Sequence, residues 1–236
     1  MSLTEKLLRP LLAAAAQPLI TYYDDALGAR VELSRATTAN WAAKTANWLL
    51  YEWDVQVGTP IAVRLPAHWQ TLGVLLGAWW CGATITDDPD GAEVAFVAPD
   101  HAPADTAGAA TVAIVSLDPL GRGLTDEPAD GAVDYLNEIR VQGDDFDPPS
   151  VPGDTLAFPD ATVDDVVTEA RARAKELGIG PGDRVLSTRD WSIPDGVRSV
   201  LLPVLAAQAS LVQCVNSDPA ALAARRSTER ITIDLT

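Results

Sequence analysis

The residues able to do acid–base, nucleophilic or metal chemistry are few. The 236-residue chain has two histidines, His68 and His101, two cysteines, Cys81 and Cys214, and three lysines, Lys6, Lys44 and Lys175. Both cysteines sit inside apolar segments, so neither a disulfide framework nor a zinc site with four ligands can be assembled. No Gly-x-Ser-x-Gly elbow presents a nucleophilic serine. Asp87-Asp88-Pro89-Asp90-Gly91 has the acidic density of a calcium loop. Pro89 and the lack of a glutamate at the twelfth position, which falls on Ala98 or Pro99 depending on the start, leave it a solvated turn. Gly121-Arg122-Gly123 lacks a third glycine and a strand running directly into a helix, so it reads as a turn and not as a dinucleotide fingerprint. No metal, no cofactor and no catalytic residue is assigned.

One pair of loops stands apart. Pro66-Ala67-His68-Trp69 follows the carboxyl end of an expected strand, where open α/β sheets place ligands. Arg189, Asp190 and Trp191 occupy the corresponding loop of a second, similar unit. His68, Trp69, Arg189 and Trp191 are therefore the candidates for lining one ligand cleft between two lobes. Aromatic side chains in such loops also seal interfaces, and the sequence leaves both roles open.

The elements that must position these loops follow from punctuation and hydrophobic pattern. A helix is expected from about Thr4 to Ala16, then a hairpin of Leu19 to Tyr23 and Arg30 to Leu33 around Asp24 to Gly28. Ser34 caps a helix running to about Trp53, in which Thr38-Ala39-Asn40-Trp41 recurs seven residues on as Thr45-Ala46-Asn47-Trp48. Tryptophans at helical spacing on one face are read as packing groups. The strand Ile61 to Leu65, the apolar helix Thr71 to Cys81 and the strand Ala83 to Thr86 form a near-continuously hydrophobic strand–helix–strand unit, as a buried parallel sheet requires. Strand-like runs follow at Glu93 to Ala98 and Thr111 to Ser116.

Residues 118–154 are rich in proline and glycine around one helix, from about Ala132 to Ile139, and read as a connector. The earlier order then repeats: a helix from Thr162 to Leu177 with a capping box of Thr162 and Asp165, a strand Arg184 to Ser187, a helix Gly196 to Ala207 and a strand Ser210 to Gln213. Gly58-Thr59-Pro60-Ile61 matches Gly182-Asp183-Arg184-Val185 at an offset of 124, and Gly82-Ala83-Thr84 matches Gln208-Ala209-Ser210 at 126. A helix from Asp218 to Ser227 and a strand from Ile231 to Leu235 close the chain. The expected fold is α/β, two similar lobes with mainly parallel sheets flanked by helices. The first lobe, with the N-terminal helix and hairpin, spans 1–117, the connector 118–154 and the second lobe 155–236.

Charge narrows the partners. The net charge is −16, and residues 87–165 carry 19 acidic and 2 basic residues against 14 and 15 elsewhere. Such a block repels phosphodiester backbones and anionic membranes, so no nucleic acid and no membrane is expected as partner. The longest apolar run, Leu72 to Ala83, is about half of the roughly 20 residues a bilayer span needs. Lys6 and Arg9 precede the short apolar stretch Leu11 to Ala16, but Gln17-Pro18 follows it, and a first helix is expected there in place of a signal peptide. A cytoplasmic location fits the cysteine usage, and the arginine and alanine bias suggests a high-GC bacterial genome.

Specific stretches carry a resemblance. Leu19 to Tyr23 through Val31-Glu32-Leu33-Ser34, Val57-Gly58-Thr59-Pro60-Ile61-Ala62-Val63-Arg64-Leu65-Pro66 with its apolar helix ending in Gly82-Ala83, and Gly178-Ile179-Gly180-Pro181-Gly182-Asp183-Arg184-Val185-Leu186-Ser187 followed by Asp218-Pro219 are similar to the adenylate-forming superfamily of acyl-CoA synthetases and luciferases. The pattern is diffuse and matches the first half of a full-length member. The resemblance implies an acetyl-CoA synthetase-like N-terminal domain. It also implies a Ser/Thr/Gly-rich loop ending in Gly-Lys, which would cradle ATP phosphates between the lobes. Here Asp154-Thr155-Leu156-Ala157-Phe158 leads through Pro159-Asp160-Ala161 straight into the helix at Thr162. The family's aromatic-His pair corresponds roughly to Trp191-Ser192, and its adenine-binding segments and C-terminal lid would lie past Thr236. Adenylation needs charge neutralisation on the transferring phosphate, and no group for it is visible. The expectation is a non-catalytic relative acting through a protein partner or a homo-oligomer. The alternative is a residual binder of a nucleotide, acyl group or coenzyme A, or a divergent acyl-activating ligase.

Overall fold

The computed structural model describes residues 1–128 and 131–236; Ala129 and Asp130 of the expected connector lie outside the described residues. Its elements are α1 (Leu3–Leu8), β1 (Pro18–Asp24), β2 (Ala29–Ser34), α2 (Arg35–Trp53), β3 (Pro60–Arg64), α3 (Trp69–Cys81), β4 (Thr84–Thr86), β5 (Val94–Val97) and β6 (Thr111–Ile114). They continue with β7 (Val133–Asp134), α4 (Tyr135–Ile139), β8 (Leu156–Phe158), β9 (Ala161–Thr162), α5 (Val163–Glu176), β10 (Arg184–Ser187), α6 (Leu202–Ala206), β11 (Ser210–Val215), α7 (Pro219–Thr228) and β12 (Ile233–Asp234).

Two five-stranded sheets organise the chain. The first has the order β4-β3-β5-β6-β7 and is parallel throughout, with Ile61 beside Val94 and Val63 beside Phe96. The second has the order β12-β10-β11-β1-β2 and is parallel except for the β2 edge. Both match the expected mainly parallel α/β architecture, since strands such as Val94–Val97 are buried along their whole length and need helices on both faces.

The N-terminal hairpin is paired differently from the simplest division of the sequence. β1 hydrogen-bonds to β11, with Ile20 beside Leu211 and Tyr22 beside Gln213, so the hairpin completes the second sheet and not the first. β1 is buried over Leu19–Tyr22, and a two-stranded ribbon cannot bury both of its faces. Pairing with a strand some 190 residues away satisfies it, and no local pattern reports such a partner. Within 118–154, β7 pairs with β6, and Tyr135, Leu136 and Ile139 of α4 are fully buried against the first lobe.

The helices α2 and α3 pack most closely where glycine allows it. A Cβ added at Gly77 would lie 2.4 Å from the Thr45 Cβ and 2.9 Å from the Ala42 carbonyl oxygen. The expected tryptophan face of α2 is core: Trp48 is fully buried and meets Trp53, Phe96 and Tyr135 edge-on, while the Thr45 hydroxyl hydrogen-bonds the Tyr135 hydroxyl at 2.7 Å. Cys81 and Cys214 are free and buried, and desolvation pushes the Cys81 thiol up to about 12, so it stays protonated and inert.

Two helices are shorter than the sequence implies. The first ends as α-helix at Leu8 and runs on as a 3₁₀ segment Arg9–Ala14, because Pro10 lacks the N–H for an i→i−4 bond. The stretch expected as one helix from Gly196 begins as a π-helix, Val197–Leu201, before α6. Pro203 is again the reason: its ring clashes with the carbonyl four residues back, and widening the preceding turn relieves the clash.

Among the described residues no helix is long and apolar enough to cross a membrane, and no group of three or more His, Cys, Asp or Glu side chains could hold a metal ion.

Candidate functional site

The two singled-out loops meet. β3 runs into Leu65-Pro66-Ala67, and His68 caps α3 by accepting the Gln70 N–H on Nδ1 at 3.1 Å. β10 ends at Ser187, whose hydroxyl accepts the Arg189 N–H at 3.1 Å. The Ala67 N–H donates to Asp190 Oδ1 at 3.2 Å, which ties the first-lobe loop to the second-lobe loop. Beside this contact lies a cavity of about 390 Å³ at the carboxyl ends of β3 and β10, rimmed by Leu65, Pro66, Asp87, Asp105, Asp190 and Trp191.

Of the four candidates only Trp191 lies on that rim. His68 is buried and meets Tyr22 edge-on, with ring centroids 4.4 Å apart. Trp69 donates from Nε1 to the Pro119 carbonyl at 3.1 Å and packs on Trp41 at 5.2 Å. Arg189 donates from Nε to the Leu235 carbonyl at 3.1 Å, and its own carbonyl accepts from Gln213 Nε2 at 2.9 Å. His68 thus packs the first-lobe loop on the second sheet, while Trp69 and Arg189 are each engaged within their own unit.

The cleft is electronegative. Arg64 is engaged at 2.8 Å with Asp105 and donates to the Asp87 carbonyl at 3.0 Å, which leaves Asp87 and Asp190 facing an incoming ligand. An anionic phosphate group would meet carboxylates there and no free cation among the lining residues. Desolvation brings His68 down to about 3, against the opposing pull of Asp24 and Asp118, so the imidazole is neutral and supplies no positive charge.

Sequence reasoning missed Tyr22 and Gln213. They sit side by side in the β1–β11 register, next to His68 and Arg189. His68 Nε2, Gln213 Oε1 and Trp191 Nε1 are buried without a hydrogen-bond partner. Each such group costs about 1–3 kcal/mol unless a water or ligand meets it. Gln213 left a signal, a polar residue in the middle of an apolar strand. Tyr22 left none, because its neighbours come from distant pairing.

Where the resemblance implied a phosphate-cradling loop, β8 and β9 form a tight antiparallel pair, with Leu156 beside Thr162 and Phe158 beside Ala161, joined by Pro159-Asp160. Its backbone is already in use: the Ala157 carbonyl accepts from Trp79 Nε1 at 3.1 Å and the Leu156 carbonyl from the Thr84 hydroxyl at 2.9 Å. Arg198 forks onto Asp160 at 2.6 and 2.9 Å and lies over the Phe158 ring at 4.6 Å.

No family model matches the chain. It is 45% identical over 238 residues to a protein of Mycobacterium tuberculosis strain H37Rv described as a TIGR03089 family protein, covering 98% of this chain and 97% of that one. Among solved structures, an acyl-CoA synthetase from Brucella canis superposes over 99% of this chain and 47% of its own, with a TM-score of 0.81 at 13% identity. A benzoate CoA ligase from Burkholderia xenovorans LB400 matches over 99% of this chain and 50% of its own, with a TM-score of 0.77 at 17% identity. The N-terminal domain of FACL13 from Mycobacterium tuberculosis matches over 99% of this chain and 62% of its own, with a TM-score of 0.70 at 14% identity. The fold is that of acyl-CoA synthetase N-terminal domains, and the chain spans about half the length of the first two enzymes.

Proposed function

The chain belongs to the TIGR03089 family, and from that premise we propose that it is a cytoplasmic, non-catalytic member of the adenylate-forming fold that acts through a protein partner or by self-association. The observation that carries this is the short Pro159-Asp160 turn between β8 and β9: the carbonyls of β8 are held by Trp79 and Thr84, and the Asp160 carboxylate is held by Arg198. Phosphoryl chemistry requires many N–H donors and a cation converging on the transferring group. A two-residue turn offers few N–H groups, the cation at it, Arg198, is forked onto Asp160, and the inter-lobe cleft presents Asp87 and Asp190. The test is ATP–pyrophosphate exchange over a panel of carboxylic acids, with light scattering over a concentration series. No exchange together with concentration-dependent mass, or a stoichiometric complex with a purified partner, is the expected result. Exchange above background, or a strict monomer that binds no partner, overturns it.

The unpartnered His68 Nε2, Gln213 Oε1 and Trp191 Nε1 favour a second function, residual binding of a nucleotide, acyl group or coenzyme A between the lobes. A thermal-shift screen with AMP, coenzyme A and acyl adenylates separates the two. Ligand at 100 times its Kd stabilises by about 2.7 kcal/mol.

A further inference from the structure

The N-terminal segment and α5 wall a groove of about 640 Å³, lined by Glu5, Lys6, Arg9, Asp164, Thr168 and Arg171. The cations in it are not equivalent. Lys6 is paired with Asp164 at 2.9 Å. Glu5 is turned back to accept the Ser2 N–H at 2.8 Å, and the Thr168 hydroxyl donates to the Asp164 carbonyl at 2.8 Å. Arg9 and Arg171 are exposed, and their side chains have no hydrogen bond or ion pair among the described residues. The chain carries 33 carboxylate residues against 17 cationic ones, and most of its other arginines, including Arg30, Arg64, Arg122, Arg184, Arg198 and Arg225, are ion-paired. Two uncommitted guanidiniums facing one groove, one from the 3₁₀ segment and one from α5, is what a bound dianion requires.

Arg9 also borders a second cavity of about 260 Å³, lined by Leu8, Leu12, Trp80 and Pro148. The two spaces share Glu5 and Arg9 and so adjoin, with Arg9 bordering both. We propose that this groove binds an organic phosphomonoester, its dianionic phosphate between Arg9 and Arg171 and an apolar group the size of one ring or a short alkyl chain in the Leu8–Leu12–Trp80 annex. A phosphomonoester is preferred to a carboxylate because it presents three oxygens and close to two charges at neutral pH, enough for two separate forks. A polyanion is disfavoured, since the chain's own charge of −16 repels it beyond the groove. The proposal is independent of the inter-lobe cleft and of the reading above.

Isothermal titration at low salt and pH 7.5 with phenyl phosphate, inorganic phosphate and phenol tests it. Phenyl phosphate is expected to bind, inorganic phosphate on the order of tenfold more weakly, and phenol not at all. Arg9→Ala and Arg171→Ala should each weaken phenyl phosphate on the order of tenfold while leaving the melting temperature unchanged, since neither side chain holds anything in the fold. Binding should also weaken as pH falls below about 6, where the phosphate dianion takes a proton and becomes a monoanion. No binding of phenyl phosphate, wild-type affinity in either arginine variant, or equal affinity for inorganic phosphate and phenyl phosphate overturns the proposal.

Discussion

The two lobes repeat one strand–helix–strand plan, yet their central helices are built differently. α3 is a continuous 13-residue helix capped by His68 at one end and by Gly82 in a left-handed conformation at the other. Its counterpart opens as the π-helical turn Val197–Leu201 and becomes α-helical only at Leu202. With the offsets read from the sequence, Gly77 of α3 falls opposite the neighbourhood of Pro203. A glycine lets α2 approach α3 closely; a proline at the matching place forbids a regular ladder and widens it. Duplicated topology therefore does not imply duplicated packing.

The sharpest way to break this comparison is to fill the first-lobe seam. Gly77→Ala should destabilise by about 3 kcal/mol, because the new Cβ overlaps Thr45 and a backbone carbonyl that cannot retreat; urea unfolding measures it. Pro203→Ala should change stability far less and convert the π-turn towards regular α-helix, visible in amide exchange at Ser199 to Leu202. Comparable losses from the two substitutions would mean that the seams are equivalent after all.

Acid titrates a different contact, that of His68 with Tyr22. His68 is held neutral by burial, with a folded value of about 3 against about 6.5 when unfolded. Between those values the unfolded chain binds the proton and the folded one does not, so stability is full above pH 6.5 and declines by up to about 1.4 kcal/mol for each pH unit below it. Burial would raise the Glu229 carboxyl, but hydrogen bonds from Tyr23, Arg184 and Arg30 bring it to about 2, so its contribution is lost only below the unfolded value of 4.5. Replacing His68 with Gln should flatten the stability profile between pH 6.5 and 4.5 and leave the more acidic limb in place.

The inter-lobe hydrogen bond is a smaller effect. Asp190→Ala strands the Ala67 N–H and should cost about 1 kcal/mol in thermal unfolding. The smallest is Arg198→Ala, which removes an ion pair to a largely exposed Asp160 and should cost about 0.5 kcal/mol. If that variant gained ATP binding, the turn would be a plug over a retained site rather than a replacement for one.

Much of the fold was legible because its signals are local. Ser34, Thr162 and Asp218 each cap the helix they precede, with their side chains accepting N–H groups inside it. The buried strands read as apolar runs, and the repeat offset located the second unit. Less of the candidate site was legible. The four candidate residues lie on two loops that meet, but the sequence did not distinguish a side chain that lines a cleft from one that seals it. Trp191 borders the cavity, while His68, Trp69 and Arg189 are spent on Tyr22, Pro119 and Leu235.

By itself the amino-acid order determined the two α/β units, their caps and turns, the acidic middle and the short Pro159-Asp160 passage, since each depends on residues within one or two turns of chain. Only the tertiary structure decided that β1 joins β11, that Tyr22 meets His68 beside Gln213 of β11, and that Arg9 and Arg171 line one groove. Those outcomes depend on pairings between residues far apart in the chain. They are selected by the burial of whole faces, and periodicity, which records only which side of an element is apolar, carries no information about the partner.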